Sequence, residues 1–342
     1  MIDIKDNYCV ILAGGLGRRL WPCSRKNLPK QFIDFFGTGS TALQQTFERF
    51  AKILPQQNIY VITNEMYVDI VKQQLPDVND DNILGEPIHR NTAPSIAWAA
   101  HHISHINPQA NIIVSPSDQL VINEENFKRD VLEGLEFVTG NDRLLTMGVK
   151  PTRPEPGYGY IQIGEAADRM DFWSVKSFTE KPERDFAKMF MESGEFYWNT
   201  GLFLCHASSV LHSFESLLPV VLRRLDKENP NFTFEQERQF VKENYPLYPN
   251  VSLDYGILEK ASNVYVMRCD FGWADLGTWH SIYEQMDKDS ENNVIIDSNV
   301  IIDESRNNIV KISEGKMAVI NGLDGYIVAE KDNVLVICKK GD

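Results

Sequence analysis

The sequence predicts an α/β fold with a mixed central sheet and a small C-terminal β-helix-like segment. Three observations predict it. Apolar strand-like runs alternate with helix-patterned segments through the first half of the chain. From about Pro151 strand-like segments crowd together with fewer helices between them. Near the C-terminus Asn293-Val294-Ile295-Ile296-Asp297 recurs six residues on as Asn299-Val300-Ile301-Ile302-Asp303.

"YCVILA" (8–13) is a continuous apolar run, expected to be a buried strand, and residues 41–54 carry apolar positions at helical spacing. "NIYVIT" (58–63) is a strand, "EMYVDIVKQQL" a helix, and a short strand ends at "ILGEP". Residues 94–106 form a helix with Thr92 as its cap and Pro94 in its first turn. "NIIVSPSD" (111–118) is the next strand, "NFKRDVLEGLEFV" the next helix, and "RLLTMGV" the strand that closes the alternation. Beyond it "GYGYIQIG", "DFWSVKSFTEKP", "EFYWNTGLFLCHA" and "NVYVMRCDF" read as strands, and "SSVLHSFESLLPVVLRRLDK" and the segment around "FEQERQFVKENY" as helices. No Gly/Ser/Pro-rich linker interrupts this region, so residues 1–288 are expected to form one domain and 289–342 the β-helix-like segment. An ordinary hairpin with a chance repetition is the alternative for the latter. The exposed edge of a short β-helix favours pairing with a second subunit, so a homodimer is expected.

Composition excludes several functions. With 43% hydrophobic and 24% charged residues the chain is ordinary for a globular protein. A net charge of -14 argues against nucleic-acid binding and against an anionic membrane surface. No apolar run reaches the roughly 18 residues needed to span a bilayer, and the charged, mixed start "MIDIKDNY" is not that of a signal peptide. Cys9, Cys23, Cys205, Cys269 and Cys338 show no C-x-x-C spacing, so a cytoplasmic protein with reduced thiols is expected. His101 and His105 stand four residues apart on a helix, a zinc-compatible spacing without a third ligand in view, and a structural role is expected.

One stretch breaks the acidic pattern. After the first strand the chain turns through Gly14-Gly15-Leu16-Gly17, and from there to Ile33 it holds Arg18, Arg19, Arg25, Lys26 and Lys30 without one acid. Glycines after a strand let backbone N–H groups approach a phosphate. A P-loop needs Gly-Lys followed by Ser or Thr, and none follows Gly17. A dinucleotide fingerprint needs a third glycine where Leu20 stands and then an unbroken helix, which Pro22 forbids. What remains is a glycine-rich loop flanked by cations, suited to a nucleoside triphosphate; a tight turn with a solvated basic face is the bland reading.

"GGLGRRLWPCSRKNLPKQF" (14–32) resembles the signature of the sugar nucleotidylyltransferases, in the form used by mannose-1-phosphate guanylyltransferases. The Trp-Pro pair and the Pro-Lys-Gln-Phe ending are more specific than the glycines. Family members usually carry Thr or Ser where Arg18 stands. The resemblance continues in family order through "EPIHRNTAPSIAWAA", "SPSD", "GYGYIQIG", "FTEKPE", "WNTGLFLC", "SLDYGILEKA" and "GWADLGTW". The isomerase domain of longer, bifunctional relatives is not expected in these 342 residues.

The resemblance implies a Rossmann-like nucleotidyltransferase core, GTP and mannose 1-phosphate as substrates, GDP-mannose and pyrophosphate as products, and Mg2+ as cofactor. Attack of a sugar 1-phosphate oxygen on the α-phosphorus brings two polyanions together, so fixed cations and a hard metal ion are needed. By resemblance Arg18, Lys30, Asp118 and Asp275 carry the chemistry, with Asp118 and Asp275 on the metal; from the residues alone each aspartate equally suits a turn. Leu12, Ala13, Gly14, Gly15, Gly17, Arg18, Lys30, Glu86, Arg90, Asn91, Thr92, Ser117 and Asp118 are expected at the nucleotide. Gly159, Glu180, Lys181, Asn199, Gly201 and Asp254 are expected at the sugar phosphate, with Trp198 packing on the ring. Two alternatives stand: a guanylyltransferase for another sugar 1-phosphate such as a heptose, and a non-catalytic sugar-nucleotide sensor.

Overall fold

The computed structural model describes residues 4–222 and 233–340. The end of the helix expected through "RRLDK" lies outside the described residues. In chain order the strands and helices are β1 (Asn7–Leu12), α1 (Ala42–Ala51), β2 (Ile59–Asn64), α2 (Val68–Gln74), β3 (Ile83–Glu86), α3 (Thr92–Ile106), β4 (Asn111–Pro116), β5 (Gln119–Val121) and α4 (Glu124–Val138). They continue with β6 (Leu144–Val149), β7 (Gly159–Ala166), β8 (Phe172–Glu180), α5 (Arg184–Ser193), β9 (Phe196–His206), α6 (Ala207–Leu217), α7 (Pro219–Leu222), α8 (Phe234–Asn244), β10 (Val264–Cys269), β11 (Trp273–Asp275) and α9 (Trp279–Gln285). The C-terminal strands are β12 (Val294–Ile295), β13 (Asn299–Asp303), β14 (Ile309–Lys311), β15 (Met317–Asn321), β16 (Tyr326–Lys331) and β17 (Val334–Lys339).

The chain groups into two compact units: Met1–Gly14, Phe47–Pro116 and Val121–Trp273 in the first, and Gly15–Thr46, Ser117–Leu120 and Ala274–Asp342 in the second. The first is built on a nine-stranded sheet in the order β3-β2-β1-β4-β9-β6-β10-β8-β7. β1 to β4 run parallel, while β9 enters antiparallel between β4 and β6. The sheet is therefore mixed, as the change of rhythm near Pro151 predicts. Parallel strands are buried on both faces and read as unbroken apolar runs, which is why Cys9, Val10 and Ile11 are wholly buried.

α3 explains itself similarly. Its side chains from Ala93 to Ile103 are all buried, so it lacks a polar face. Thr92 is not its cap. Asn91 takes that position at φ 65°, and its Oδ1 accepts from the Thr92 N–H at 2.9 Å. Thr92 instead accepts from the Leu253 N–H at 2.9 Å, docking the start of α3 on the segment that leads into Asp254.

In the second unit the two copies of the six-residue repeat fall on consecutive sides of a coil, β12 in one sheet and β13 in another, and a parallel bridge between Arg306 and Asp324 marks a third side. Asn299 pairs in parallel with Met317 and Ile309 with Ile327, eighteen residues on in each case. β17 then turns back antiparallel on β16. Val294, Ile296, Ile309, Ile327 and Ala329 of this coil share a core with Leu20, Cys23, Phe35, Trp279, Ile282 and Tyr283. The proline-interrupted segment after the glycines forms only short 3-10 turns, Arg18–Leu20 and Lys30–Phe32.

Candidate active site

Within the second unit, three predicted groups come together. The Lys30 ammonium is ion-paired with the Asp118 carboxylate. Asp275 joins them, because a Cβ placed on Gly277 would lie 2.8 Å from its Oδ1 and 2.9 Å from Lys30 Nζ. Asp118 stands just past β4 and Asp275 ends β11, so the latter belongs to a strand and not to the turn, which Gly272 makes before it at φ 65°. Burial pulls Lys30 toward the neutral form, but Asp118 and Asp275 outweigh it and raise its pKa. Asp275 is also raised, first by burial and then by the Asp118 charge. Two half-buried carboxylates thus repel one another and share one cation.

The glycine turn is held rigidly. Gly17 has φ 58°, and a Cβ there would meet Ser24 Oγ at 2.6 Å and Lys30 Cγ at 2.9 Å, contacts that only glycine avoids. Gln31, buried in the Pro-Lys-Gln-Phe stretch, donates to the Gly15 carbonyl at 3.0 Å. Ser117 is buried, and its carbonyl accepts from Thr46 Oγ1 at 3.3 Å. Arg18 and Arg19 are both exposed, yet it is Arg19 whose charge acts on Lys30 and Asp275. Both belong to the same 3-10 turn, and a motif cannot say which of two adjacent arginines acts on the cluster.

The first unit carries two further groups. In one, Glu86 at the end of β3 accepts hydrogen bonds from Ser95 and Tyr245 and is pushed up to about 7 by burial, against the pull of those two hydroxyls. Asn91 and Thr92 adjoin it at the start of α3, while the Arg90 guanidinium donates to the Pro246 carbonyl at 2.5 Å. Gly14 lies beside Glu86: an added Cβ would come to 3.4 Å from its Oε2. Leu12 is held in the sheet, and Ala13 has its N–H on the Ile62 carbonyl and its carbonyl on Thr63 Oγ1, both at 2.8 Å. Ala13 is thus engaged with the sheet and contributes shape more than free polar groups.

In the other, Asn199 donates to Asp254 Oδ1 at 2.9 Å and accepts from the Gly201 N–H at 3.0 Å and Thr146 Oγ1 at 3.3 Å. Burial raises Asp254, with the Asn199 bond opposing. A Cβ on Gly159 would strike Glu180 Oε2 at 2.7 Å, so Gly159 lets Glu180 approach Asn199. Glu180 and Lys181 are ion-paired and exposed. Trp198 is not an open platform: it is 3% exposed and packs edge-on against Tyr158 at 5.2 Å. The residues that the motifs did not single out are Arg19, Gln31, Ser95, Tyr245 and Gly277. Of these Arg19, Gln31, Ser95 and Gly277 sit inside recognised motifs, and nothing local connects Tyr245 to Glu86.

A nine-stranded mixed sheet with candidate groups where β1, β3 and β4 end is the architecture of a nucleotide-handling α/β enzyme. The family model described as nucleotidyl transferase matches residues 8–292, which defines the class. The chain is 34% identical to a mannose-1-phosphate guanylyltransferase of Escherichia coli over 96% of this chain and 71% of that protein. It is 35% identical to mannose-1-phosphate guanylyltransferase RfbM of Salmonella typhimurium over 95% and 70%. A crystal structure described as mannose-1-phosphate geranyltransferase from Thermus thermophilus matches with a TM-score of 0.86 at 26% identity, over 98% of this chain and 96% of that one. The chain belongs to the mannose-1-phosphate guanylyltransferase family, and its reaction class is nucleotidyl transfer to a sugar phosphate.

Proposed function

We propose that the chain transfers GMP from GTP to α-D-mannose 1-phosphate, giving GDP-mannose and pyrophosphate, by direct in-line displacement with Mg2+ as cofactor. A phosphate oxygen of the sugar attacks the α-phosphorus, the bond to the bridging β-oxygen breaks, and pyrophosphate leaves with that electron pair. The observation that carries this reading is the Lys30, Asp118 and Asp275 cluster, together with the names of the relatives. Lys30 stays protonated among its carboxylates and offsets charge on the departing pyrophosphate, with Arg19 and Arg18 as further cations.

Among the described residues no group of three or more His, Cys, Asp or Glu is arranged to hold a metal ion. A pair of carboxylates nonetheless suits Mg2+, which keeps several waters and takes phosphate oxygens as ligands. Asp118 and Asp275 fit that role, since their mutual repulsion is relieved by a cation. When bound, Mg2+ supplies positive charge to the phosphate oxygens. Gly14, Gly15, Gly17 and Ser117 would line the nucleotide, Glu86 with Asn91 and Thr92 the guanine, and Gly159, Glu180, Lys181, Asn199, Gly201 and Asp254 the mannose 1-phosphate.

Residues 1–288 hold every one of these groups, which supports reading them as the catalytic domain and 289–342 as the β-helix-like segment. A homodimer is proposed through that segment, whose Ile301, Val319, Leu335 and Ile337 are exposed. A cytoplasmic location is proposed, in keeping with five free cysteines, four of them buried. Among the described residues no helix is long and apolar enough to cross a membrane.

Pyrophosphate release from GTP, ATP, CTP and UTP, each with mannose, glucose and heptose 1-phosphates, with Mg2+ or with EDTA, tests the reading. The fastest turnover is expected for GTP with mannose 1-phosphate, abolished by EDTA. Faster turnover with another pair would overturn the substrate assignment, and full activity in EDTA the cofactor.

A further inference from the structure

Glu86 is 3% exposed, yet no cation among the described residues compensates it. Its Oε1 accepts from the Ser95 hydroxyl on α3 and from the Tyr245 hydroxyl, 159 positions away in the chain. Those two hydroxyl oxygens are 3.4 Å apart, so they close on Oε1 from neighbouring sides. Oε2 has no partner among the described residues and lies beside Gly14. One oxygen of the carboxylate is saturated and the other is left as an open acceptor.

The two hydroxyls are themselves fixed. Tyr245 is fully buried, with its ring edge-on to Trp98 at 6.2 Å and tilted against Tyr248 at 5.2 Å. Ser95 Oγ lies within reach of Glu86 Oε1 and, at 3.0 Å, of the Asn91 carbonyl. It has one proton for two acceptors, and a carboxylate is the stronger acceptor.

We propose that Ser95 and Tyr245 are positioning residues for nucleobase selection: by saturating Oε1 they hold the Glu86 carboxylate in one orientation, with Oε2 accepting from the N1–H and N2–H donors of guanine. Adenine presents an acceptor at N1, which an unpartnered carboxylate oxygen repels, so the same geometry rejects it. The inference rests on the proposed use of GTP. Burial keeps Glu86 near neutrality, and each hydroxyl favours its ionised form. The titratable groups facing it are Tyr245 and, behind that ring, Tyr248. Loss of either hydroxyl therefore moves the protonation of Glu86 to higher pH as well as freeing its orientation.

The test measures kcat and KM for GTP, ITP and ATP with mannose 1-phosphate in wild type, Tyr245→Phe and Ser95→Ala, across about pH 5.5 to 9. Tyr245→Phe is expected to lower kcat/KM for GTP about tenfold, mostly through KM, as for loss of a hydrogen bond to a charged group. ATP turnover does not fall, because a freed and more protonated carboxyl rejects adenine less, so GTP/ATP discrimination falls by at least the same factor and the acid limb of the GTP profile moves to higher pH. Ser95→Ala moves both readouts in the same direction by less, and it decides alone if Tyr245→Phe does not fold. A wild type that prefers a nucleotide other than GTP defeats the proposed function itself. A GTP-selective wild type whose folded variants keep full discrimination and the same acid limb overturns only this inference.

Discussion

Lys30 and Glu86 are both charged side chains taken largely out of water, and the chain compensates them in opposite ways. Lys30 is met by two carboxylates, whose attraction exceeds the cost of burial and keeps it cationic well beyond neutral pH. Glu86 is met by two neutral hydroxyls, which do not recover its lost hydration, so its pKa rises to about 7. The contrast fits the two tasks proposed for these residues. A triphosphate needs a permanent cation, whereas a base is read by hydrogen bonds, and these strengthen where the surroundings are dry. A phosphate site tolerates local solvent because it works through charge; a reading site works through a few oriented acceptors.

The largest effects are expected from breaking the ionic half. Lys30→Ala and Asp275→Asn should each lower the rate of pyrophosphate release by about 10²- to 10³-fold, the range for removing one preorganised electrostatic group from a reaction centre. Rates within threefold of wild type in both variants would remove the cluster from the chemistry. The two arginines sharpen the same half: Arg19→Ala is expected to cost about tenfold in kcat/KM for GTP, on the scale of a charge-assisted contact, and Arg18→Ala clearly less. An equal loss from both would mean that the field of Arg19 at Lys30 and Asp275 has no catalytic consequence.

The hydroxyl-compensated half should show itself as a pH dependence. If ionised Glu86 accepts from the base, kcat/KM for GTP falls as pH drops below about 7, by about tenfold per unit well below it. Glu86→Gln should abolish that limb while lowering the plateau. The linked effect on stability has the opposite sense. Because the folded pKa lies above the ordinary carboxylate value, the folded state binds more protons between about 4.5 and 7, and this group's contribution to stability declines as pH rises through that window. A flat kcat/KM profile between about pH 5.5 and 8 would break the comparison from this side.

Much of this was legible in the sequence, and what was not has a common cause. β1 to β4 and α3 follow from apolar runs, which are local, although the cap of α3 is Asn91 and not Thr92. The two copies of the six-residue repeat fall on two faces of the C-terminal coil, and the eighteen-residue pairings, which stack successive turns, were not in view. The glycine turn, Lys30, Asp118 and Asp275 were legible because their spacing is chemical. Hidden from the sequence were relations between distant positions: residues 15–46 group with 274–342, and Tyr245 completes the surroundings of Glu86. Trp198 and Arg18 show a second limit, since a motif names residue types but not which way a side chain turns.

Arg25 sets the smallest expected effect and shows that not every cation of the basic stretch serves phosphate. Its guanidinium donates to the Pro22 carbonyl at 3.1 Å and to the Lys331 carbonyl at 2.8 Å, fastening the proline-rich loop to the end of β16. The Asp332 carboxylate is 3.7 Å away and largely exposed, so that ion pair adds little. Arg25→Ala is expected to destabilise the protein by about 1 to 2 kcal/mol, the scale for losing two hydrogen bonds to backbone, read as a lower thermal midpoint. Turnover well below that midpoint should stay within about twofold of wild type, because the cations proposed to face the substrate are untouched. Arg25→Lys should recover little stability, since a single ammonium does not reproduce the guanidinium fork that reaches both carbonyls. A tenfold loss of turnover with an unchanged midpoint would instead place Arg25 with Lys30 on the phosphates, and the division between fastening and phosphate-facing cations would fail there.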